Sequence, residues 1–158
     1  DGRRDSSTSR GRGDVYKRQV VLMHSRGNSS TMDSLTDYDD VIQEVREGLE
    51  ERTNTALKAG LRMDQIIWDP GLGFAKTHEQ NLKLLKALEQ LTCGPRPLLV
   101  GPSRKRFIGA VLDEPRPKAR LWGTAAVACR CAQAGVALVS VHDVGPIAQT
   151  LRMASALW

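Results

Sequence analysis

Four short apolar runs rich in β-forming residues alternate with longer helical patterns after residue 19. The runs cover residues 20–23, 66–68, 98–100 and 136–141. Continuous apolar runs separated by helices are typical of buried parallel strands that helices cover. The spacing therefore predicts four βα units of an α/β protein. Two architectures fit this pattern, a small doubly wound sheet or half of a (β/α)8 barrel.

The helical patterns between the runs have recognisable ends. Residues 38–60 place apolar side chains on one helical face and end at Gly60, and Thr77 and Gln80 have the spacing of a capping box. Further helices are predicted over residues 106–112 and 120–134 and near the C-terminus. The side chains expected to be buried in the second and last helices are Leu82, Leu85, Leu88, Ile147, Leu151 and Ala154.

Composition argues against several classes of protein. The net charge is +5, but residues 1–19 carry +3 of it, and only 4% of the residues are aromatic. A basic, aromatic-rich surface for nucleic acid is therefore not expected. No apolar run reaches the roughly 18 residues that a membrane span needs, so a soluble chain is predicted. Three cysteines without a metal or redox spacing predict small buried thiols in a reducing compartment.

The first residues differ in character from the rest of the chain. Residues 1–18 contain almost no apolar side chains and cannot form a core. We expect a disordered or artefactual tail there, followed by one domain over residues 19–158. A domain of this length can bury a core of its own.

Polar or glycine-rich residues follow each predicted strand. The sequences are Met23-His24, then DPGLGFAK over residues 69–76, then Gly101 to Lys105, and finally SVHD over residues 140–143. Ligands bind at the carboxyl ends of parallel strands in both candidate architectures. We therefore expect one composite site at this edge.

Asp69 allows two interpretations. A carboxylate at a strand end can accept two parallel hydrogen bonds from an N–C–N edge, as an aminopyrimidine offers. An aspartate before Pro-Gly can equally cap its own turn. The spacing alone does not choose between them.

The glycine-rich run after Asp69 is only a partial dinucleotide motif. Gly71-Leu72-Gly73 begins like the fingerprint, but Lys76 stands where its third glycine belongs. The glycines more plainly let backbone approach a flat ligand, with Phe74 as a stacking or wall residue. The chain has no GxxxxGK[ST] loop, which excludes ATP binding by that loop.

The third strand leads into three consecutive cations, Arg104, Lys105 and Arg106. Lys105 could hold a carbonyl, ring nitrogen or phosphate, and Ser103 could cap the following helix and leave amides free for an anion. An exposed basic turn is the alternative. His142 is a candidate for binding an anion or transferring a proton, although a lone histidine is more often structural.

These motifs together resemble dihydropteroate synthase. The sequences LMHSRGNSSTM, DPGLGFAK, LLVGPSRKRFIG, RLWGTAA and VHDV stand in that family's order and spacing over residues 19–158. The resemblance implies a (β/α)8 TIM barrel, of which this chain would be the second half. It also implies a transferase of folate biosynthesis and sulfonamide target that condenses 6-hydroxymethyl-7,8-dihydropterin pyrophosphate with p-aminobenzoate and releases pyrophosphate.

The resemblance further implies roles for individual residues. Asp69 and Lys105 would bind the pterin and serve catalysis, with Gly101 and Met23 also contacting that ring. Phe74 and Lys105 would wall the aminobenzoate pocket, Ser103 would reach its carboxylate, and His142 would help to hold pyrophosphate. A dissociative path through a pterin-stabilised cation is implied, with Mg²⁺ on the leaving pyrophosphate. Arg106 is expected to be solvated, and no role is assigned to Arg104.

Three departures from the family pattern qualify this expectation. The first half of the barrel is absent, and with it the asparagine expected to bind Mg²⁺, so no metal ligand is predicted here. Ser29 replaces a proline, and Ser140 replaces an arginine before Val-His-Asp. We expect the chain alone to be an inactive fragment.

Two other readings stay open. One is a non-catalytic pterin-binding module, such as the pterin domain of a methyltransferase, and the other is a truncated product without function. The intact Ser103-Arg104-Lys105 turn favours the synthase over the methyltransferase domain. The complete protein is expected to be a homodimer acting on small molecules, without nucleic acid or membrane. Its compartment would be the cytoplasm in a bacterium, or the mitochondrion or plastid in a plant.

Overall fold

Each strand is followed by one or two α-helices within residues 18–157, the part of the chain that the computed structural model describes. The predicted tail lies outside these residues, apart from Arg18. The strands are β1 (Val20–Met23), β2 (Ile66–Asp69), β3 (Leu99–Val100) and β4 (Leu138–Val139). The helices are α1 (Val41–Lys58), α2 (His78–Lys86), α3 (Glu89–Thr92), α4 (Arg106–Leu112), α5 (Leu121–Gln133) and α6 (Val144–Leu157).

The four strands lie side by side in chain order and all run parallel. β1 pairs with β2, so that Met23 stands opposite Asp69, and β3 pairs with β4. A parallel bridge between Trp68 and Leu98 joins β2 to β3. A doubly wound sheet reverses its strand order at a switch point. The described strands show no such reversal, and their order is that of an arc of a (β/α)8 barrel.

β3 and β4 are shorter than predicted. Pro102 cannot donate a backbone hydrogen bond and follows β3 closely, which limits that strand. At the start of β4, the Leu98 carbonyl accepts from both Ala137 N at 3.0 Å and Leu138 N at 3.1 Å. This shared acceptor makes the pairing irregular, so the regular ladder begins only at Leu138.

The helix ends follow the predicted local signals. The Asp40 carboxylate caps α1 by accepting from Ile42 N and Gln43 N, and the chain leaves α1 through Gly60 at a φ of 97°. The predicted capping box before α2 is confirmed, because Gln80 N donates to Thr77 Oγ1 and Thr77 N donates to Gln80 Oε1. These contacts set the positions at which the chain turns back to the sheet.

The larger hydrophobic cluster of the described residues lies between the sheet and the helices, with Leu49, Ile66, Leu84 and Phe107 among its fully buried members. A smaller cluster of Ala125, Ala128 and Ile147 lies between α5 and α6. The buried stripe of α2 differs from the prediction. It passes through Asn81, Leu84 and Leu85 and continues to Leu88 just beyond the helix, at the i, i+3, i+4 and i+7 positions. Leu82 therefore lies at the edge of the stripe and is only half-buried. Leu151 of α6 is likewise half-buried, whereas Ile147 and Ala154 are buried as predicted.

The cysteines only partly match their prediction. Cys131 is buried, and burial raises the pKa of its thiol to about 12. Cys129 is half-buried, but Cys93 is exposed in the loop that leads to β3. The expectation of a buried thiol was therefore wrong for Cys93. All three are free thiols.

Two strand edges lack a neighbour within the described residues. β1 pairs only with β2, and β4 pairs only with β3. Apolar side chains at these edges are exposed, including Val21 at 44% and Leu138 at 43%. Unpaired strand edges with apolar side chains favour association with further strands. Within residues 18–157, no helix has the length and apolar character to cross a membrane.

Candidate active site

A cavity of about 240 Å³ lies at the carboxyl ends of the strands. Residues from the ends of β2, β3 and β4 line it together. The lining residues are Asp69, Leu72, Phe74, Leu99, Gly101, Ser103, Lys105, Ser140 and His142. The structure thus brings six of the seven predicted site residues into one cavity. Met23 does not line it and stands beside Asp69 on the neighbouring strand.

Asp69 is the last residue of β2, and its geometry is compatible with both a turn cap and a ligand acceptor. Its Oδ1 accepts a hydrogen bond of 2.7 Å from Gly71 N, so the carboxylate does cap its own turn. No described residue donates a hydrogen bond to Oδ2, which leaves acceptor capacity towards the cavity. Burial raises the pKa of Asp69, while the Gly71 hydrogen bond and the nearby ammonium groups of Lys105 and Lys76 oppose that shift.

The loop after Asp69 requires an unusual backbone. Gly71 and Gly73 have φ values of 68° and 78°, and Ala75 also has a positive φ of 50°. A Cβ on Gly71 would lie 1.9 Å from the His24 carbonyl oxygen, so only glycine fits there. Asn81 of α2 accepts from Gly73 N at 2.7 Å. The glycines therefore serve close backbone packing and not a dinucleotide fingerprint.

Phe74 and Lys105 form one wall of the cavity. The Lys105 ammonium lies 4.2 Å from the centroid of the Phe74 ring, within the range of a cation–π contact. Burial lowers the pKa of Lys105, and the Asp69 carboxylate opposes this effect. An ammonium group thus lies against an aromatic face at the cavity wall and is near enough to the Asp69 carboxylate to interact with its charge.

Ser103 does not cap α4, contrary to the prediction. The helix begins after Lys105, and no side chain caps it. The Ser103 hydroxyl instead lies 2.9 Å from His142 Nδ1 and accepts from His142 N at 3.1 Å. Because these bonds join the loops after β3 and β4, Ser103 positions His142 at the cavity.

The three consecutive cations have three different surroundings. Arg104 donates twice to the Asp143 carboxylate, at 2.8 and 3.2 Å, and so braces the β3 loop against the β4 loop. Arg106 is exposed as predicted, and it also pairs with Asp33 at 2.7 Å. Only Lys105 lines the cavity.

Two residues to which the sequence analysis assigned no individual role form a buried contact at the base of this loop. Lys76 and His24 are 8% and 5% exposed, and the Lys76 ammonium lies 3.1 Å from His24 Nδ1. Burial lowers the pKa of Lys76 to about 7 and that of His24 to about 3, the latter aided by neighbouring cations. In the sequence, Lys76 was noted only as a break in the glycine motif. Its position between a glycine-rich loop and the helix-capping Thr77 was the one signal that could have indicated a structural role.

Ser140 lies at the cavity as the first residue after β4, with its N–H bonded to the Val100 carbonyl at 2.9 Å. A neutral hydroxyl therefore stands at this position, two residues before His142. Among residues 18–157, no group of three or more His, Cys, Asp or Glu side chains could hold a metal ion.

Comparison with known proteins identifies the class to which this fold and cavity belong. The family model described as "Pterin binding enzyme" matches residues 14–142. The chain therefore belongs to the pterin binding enzyme family.

Its relatives narrow the resemblance to one enzyme. The dihydropteroate synthase of Synechocystis sp. is 51% identical over 143 residues, which are 90% of this chain and 50% of that protein. Dihydropteroate synthase from Thermus thermophilus, solved with 4-aminobenzoate, superposes with a TM-score of 0.82 at 38% identity and covers 87% of this chain and 56% of that one. Its complex with 6HMPPP gives a TM-score of 0.82 at 38% identity, with 87% and 54% covered.

The resemblance to dihydropteroate synthase and the TIM-barrel fold are thus confirmed. The chain spans about half the length of the dihydropteroate synthases from Synechocystis sp. and Haemophilus influenzae that it matches. The four strands accordingly form half of such a barrel.

Proposed function

We propose that this chain forms the second half of a dihydropteroate synthase. In the closed barrel it would join p-aminobenzoate to 6-hydroxymethyl-7,8-dihydropterin pyrophosphate. The observation that carries the proposal is the meeting of Asp69, Phe74 and Lys105 in one cavity at the strand ends. The Thermus thermophilus relative, solved with 4-aminobenzoate and with 6HMPPP, supports the same choice of substrates.

Asp69 and Lys105 suit the two sides of a pterin. Asp69 has a carboxylate oxygen without a described donor, which can accept from the amino and ring N–H groups of the aminopyrimidine edge. Lys105 offers ammonium donors to the ring carbonyl and nitrogen. An ionised Asp69 also favours the positive charge that develops on the pterin as its C–O bond breaks.

The aminobenzoate would occupy the side of the cavity walled by Phe74 and Lys105. The Phe74 ring offers an apolar face, and the Ser103 hydroxyl lies on the same cavity surface, where it can reach the carboxylate through water. The aromatic amine attacks the methylene carbon of the pterin and then loses a proton. Pyrophosphate leaves with the electron pair of the broken C–O bond.

His142, held by Ser103, is proposed to bind the leaving pyrophosphate. Ser140 adds a hydroxyl where an arginine would add charge, so this half of the site supplies little positive charge there. Among the described residues, no group of three or more His, Cys, Asp or Glu side chains could hold a metal ion. We propose that any Mg²⁺ ligands belong to residues outside this chain.

Substrate binding tests the proposal in a closed-barrel chimera, in which residues 19–158 are joined to the first half of the Synechocystis relative. Asp69→Ala should weaken binding of a pterin by about 1–3 kcal/mol or more in calorimetry, because donors on the ligand lose their acceptor. Binding of p-aminobenzoate should change less.

The matched control is Asp64→Ala, which alters an exposed aspartate before the same strand. Unchanged pterin affinity in Asp69→Ala would mean that Asp69 only caps its turn. Pterin binding without turnover would instead support a non-catalytic pterin-binding module.

We also propose that the complete protein is a homodimer. An apolar groove of about 150 Å³ lies between α4 and α5, and Trp122 on α5 is 77% exposed. The residues lining it are Leu82, Phe107, Ile108, Val111, Leu112, Gly123, Ala126 and Val127. Sedimentation of the chimera with Trp122→Glu tests this proposal, and a dimer that persists unchanged would place the interface elsewhere.

A further inference from the structure

The Lys76 ammonium is bound on three sides inside the protein. Its nitrogen lies 3.1 Å from the Gly71 carbonyl, 3.0 Å from the Phe74 carbonyl and 3.1 Å from His24 Nδ1. A protonated lysine has three donors and no acceptor. The three groups suit a charged ammonium when His24 is neutral and carries its proton on Nε2, a state that the Lys76 pKa of about 7 leaves populated at and below neutral pH.

The segment that Lys76 holds is the cavity loop, residues 70–76. This loop includes the three positive-φ residues of the turn and carries Phe74 into the cavity. A backbone of this kind costs free energy and persists only where the surrounding structure fixes it. Lys76 bonds to carbonyls on both sides of Gly73, so it closes the loop from beneath.

His24 supplies the fixed side of this contact. The backbone N–H of His24 donates to the Asp69 carbonyl at 2.9 Å. The imidazole ring packs so closely on α1 that a Cβ on Gly48 would lie 2.9 Å from His24 Cδ2. The imidazole is thus held between β2 and α1. Because Lys76 contacts this imidazole, its ammonium is held at a fixed position relative to the sheet.

We propose that Lys76, docked on His24, is a positioning residue that holds the cavity loop so that Phe74 stands against Lys105 beside Asp69. This inference rests on the proposed function, since it assigns the loop to substrate binding. Lys76 does not line the cavity, so it acts through the loop. The charged groups that face the Lys76–His24 pair are Asp69, Arg26 and Arg52.

Hydrogen exchange of the 158-residue chain tests whether Lys76 holds the cavity loop, without relying on any reaction. The amides of Gly71, Gly73 and Phe74 are hydrogen-bonded within the loop or to its neighbours. Lys76→Met should speed their exchange about tenfold or more, the factor that matches the loss of one hydrogen bond to a charged group. Lys83→Met removes an exposed lysine of α2 and should leave their exchange unchanged.

Two variants of His24 separate positioning from simple packing. His24→Asn places an amide oxygen near the site of Nδ1 and should largely keep the slow exchange. His24→Phe keeps an aromatic ring without the acceptor and should behave like Lys76→Met. If Lys76→Met unfolds the chain, this pair decides the matter, and equal exchange in the two variants would overturn the proposal.

Kinetics of the chimera then test the consequence for substrate. Lys76→Met should raise KM for p-aminobenzoate and lower kcat, with His24→Asn closer to the parent than His24→Phe. If hydrogen exchange in the loop stays unchanged in Lys76→Met, the positioning role of Lys76 is overturned, whatever the kinetics of the chimera show. A chimera that forms no dihydropteroate contradicts the proposed function and leaves the exchange result intact.

Discussion

Replacing each of the three consecutive cations with methionine should have three different effects on ligand binding. Lys105 is half-buried at the cavity wall, whereas Arg106 and its partner Asp33 are each 65% exposed. Arg104 is also half-buried, but it pairs with Asp143 and lies outside the cavity lining. Ligand binding by the closed-barrel chimera carrying Lys105→Met, Arg104→Met or Arg106→Met tests whether the three effects differ.

The size of the Lys105 effect follows from its surroundings. Its ammonium would contribute a hydrogen bond involving a charged group in a partly desolvated site, which is worth about 1.5–3 kcal/mol. Lys105→Met should therefore weaken pterin binding by about 10- to 150-fold and abolish turnover. Exposed ion pairs contribute little, so Arg106→Met should change affinity and activity only a few-fold.

Arg104→Met should act indirectly. Loss of its paired bonds to Asp143 frees the β4 loop that carries His142, so pyrophosphate binding should weaken more than pterin binding. Calorimetry with a pterin, p-aminobenzoate and pyrophosphate measures all three variants, with thermal melting to confirm that each is folded. Equal losses from Lys105→Met and Arg106→Met would refute the assignment of a single cavity cation.

Three further predictions concern the phosphate site, pH and assembly. Ser140→Arg in the chimera should tighten pyrophosphate binding by roughly 1.5–3 kcal/mol, and an affinity that stays flat would mean that another cation already fills this role. The pKa of His24 is lowered from 6.5 to about 3 in the folded chain, so the unfolded chain binds the extra proton between these values. The free energy of unfolding should fall as the pH drops through that window, by up to about 1.4 kcal/mol per unit, and urea titrations of His24→Asn should show a flatter dependence. The 158-residue chain alone should form no dihydropteroate and should associate through its β1 and β4 edges, and clear turnover by the purified chain would contradict this.

Local signals in the sequence predicted much of the fold. Alternating apolar runs and helices gave four parallel strands, and the Thr77–Gln80 pair gave the start of α2, because both depend on neighbours in the chain. The strand-end rule then placed Asp69, Gly101 and His142 in one cavity, since parallel strands deliver their carboxyl ends to the same edge.

The partners of the site residues could not be predicted in this way. Arg104 meets Asp143 across 39 residues, and Arg106 meets Asp33 across 73 residues. Lys76 meets His24 across 52 residues. These contacts arise only when the loops converge at one end of the sheet, and the chain between the partners carries no sign of them.

Ser103 shows the same limit in a different form. Its position before a helix favoured a cap, but the helix begins only at Arg106 and the Ser103 hydroxyl bonds to His142, which follows the next strand. A tertiary contact thus replaced a local one. The role of a short polar side chain near a helix start depends on which loop packs beside it.

Product formation by the closed-barrel chimera tests the central claim most directly. With residues 19–158 replacing the matching half of the Synechocystis relative, the folded chimera should form 7,8-dihydropteroate from the pterin pyrophosphate and p-aminobenzoate. Lys105→Met should abolish that product, and Arg106→Met should retain it. A folded chimera that binds a pterin but forms no product, under conditions in which the parent is active, would contradict the claim that this half-barrel serves a synthase.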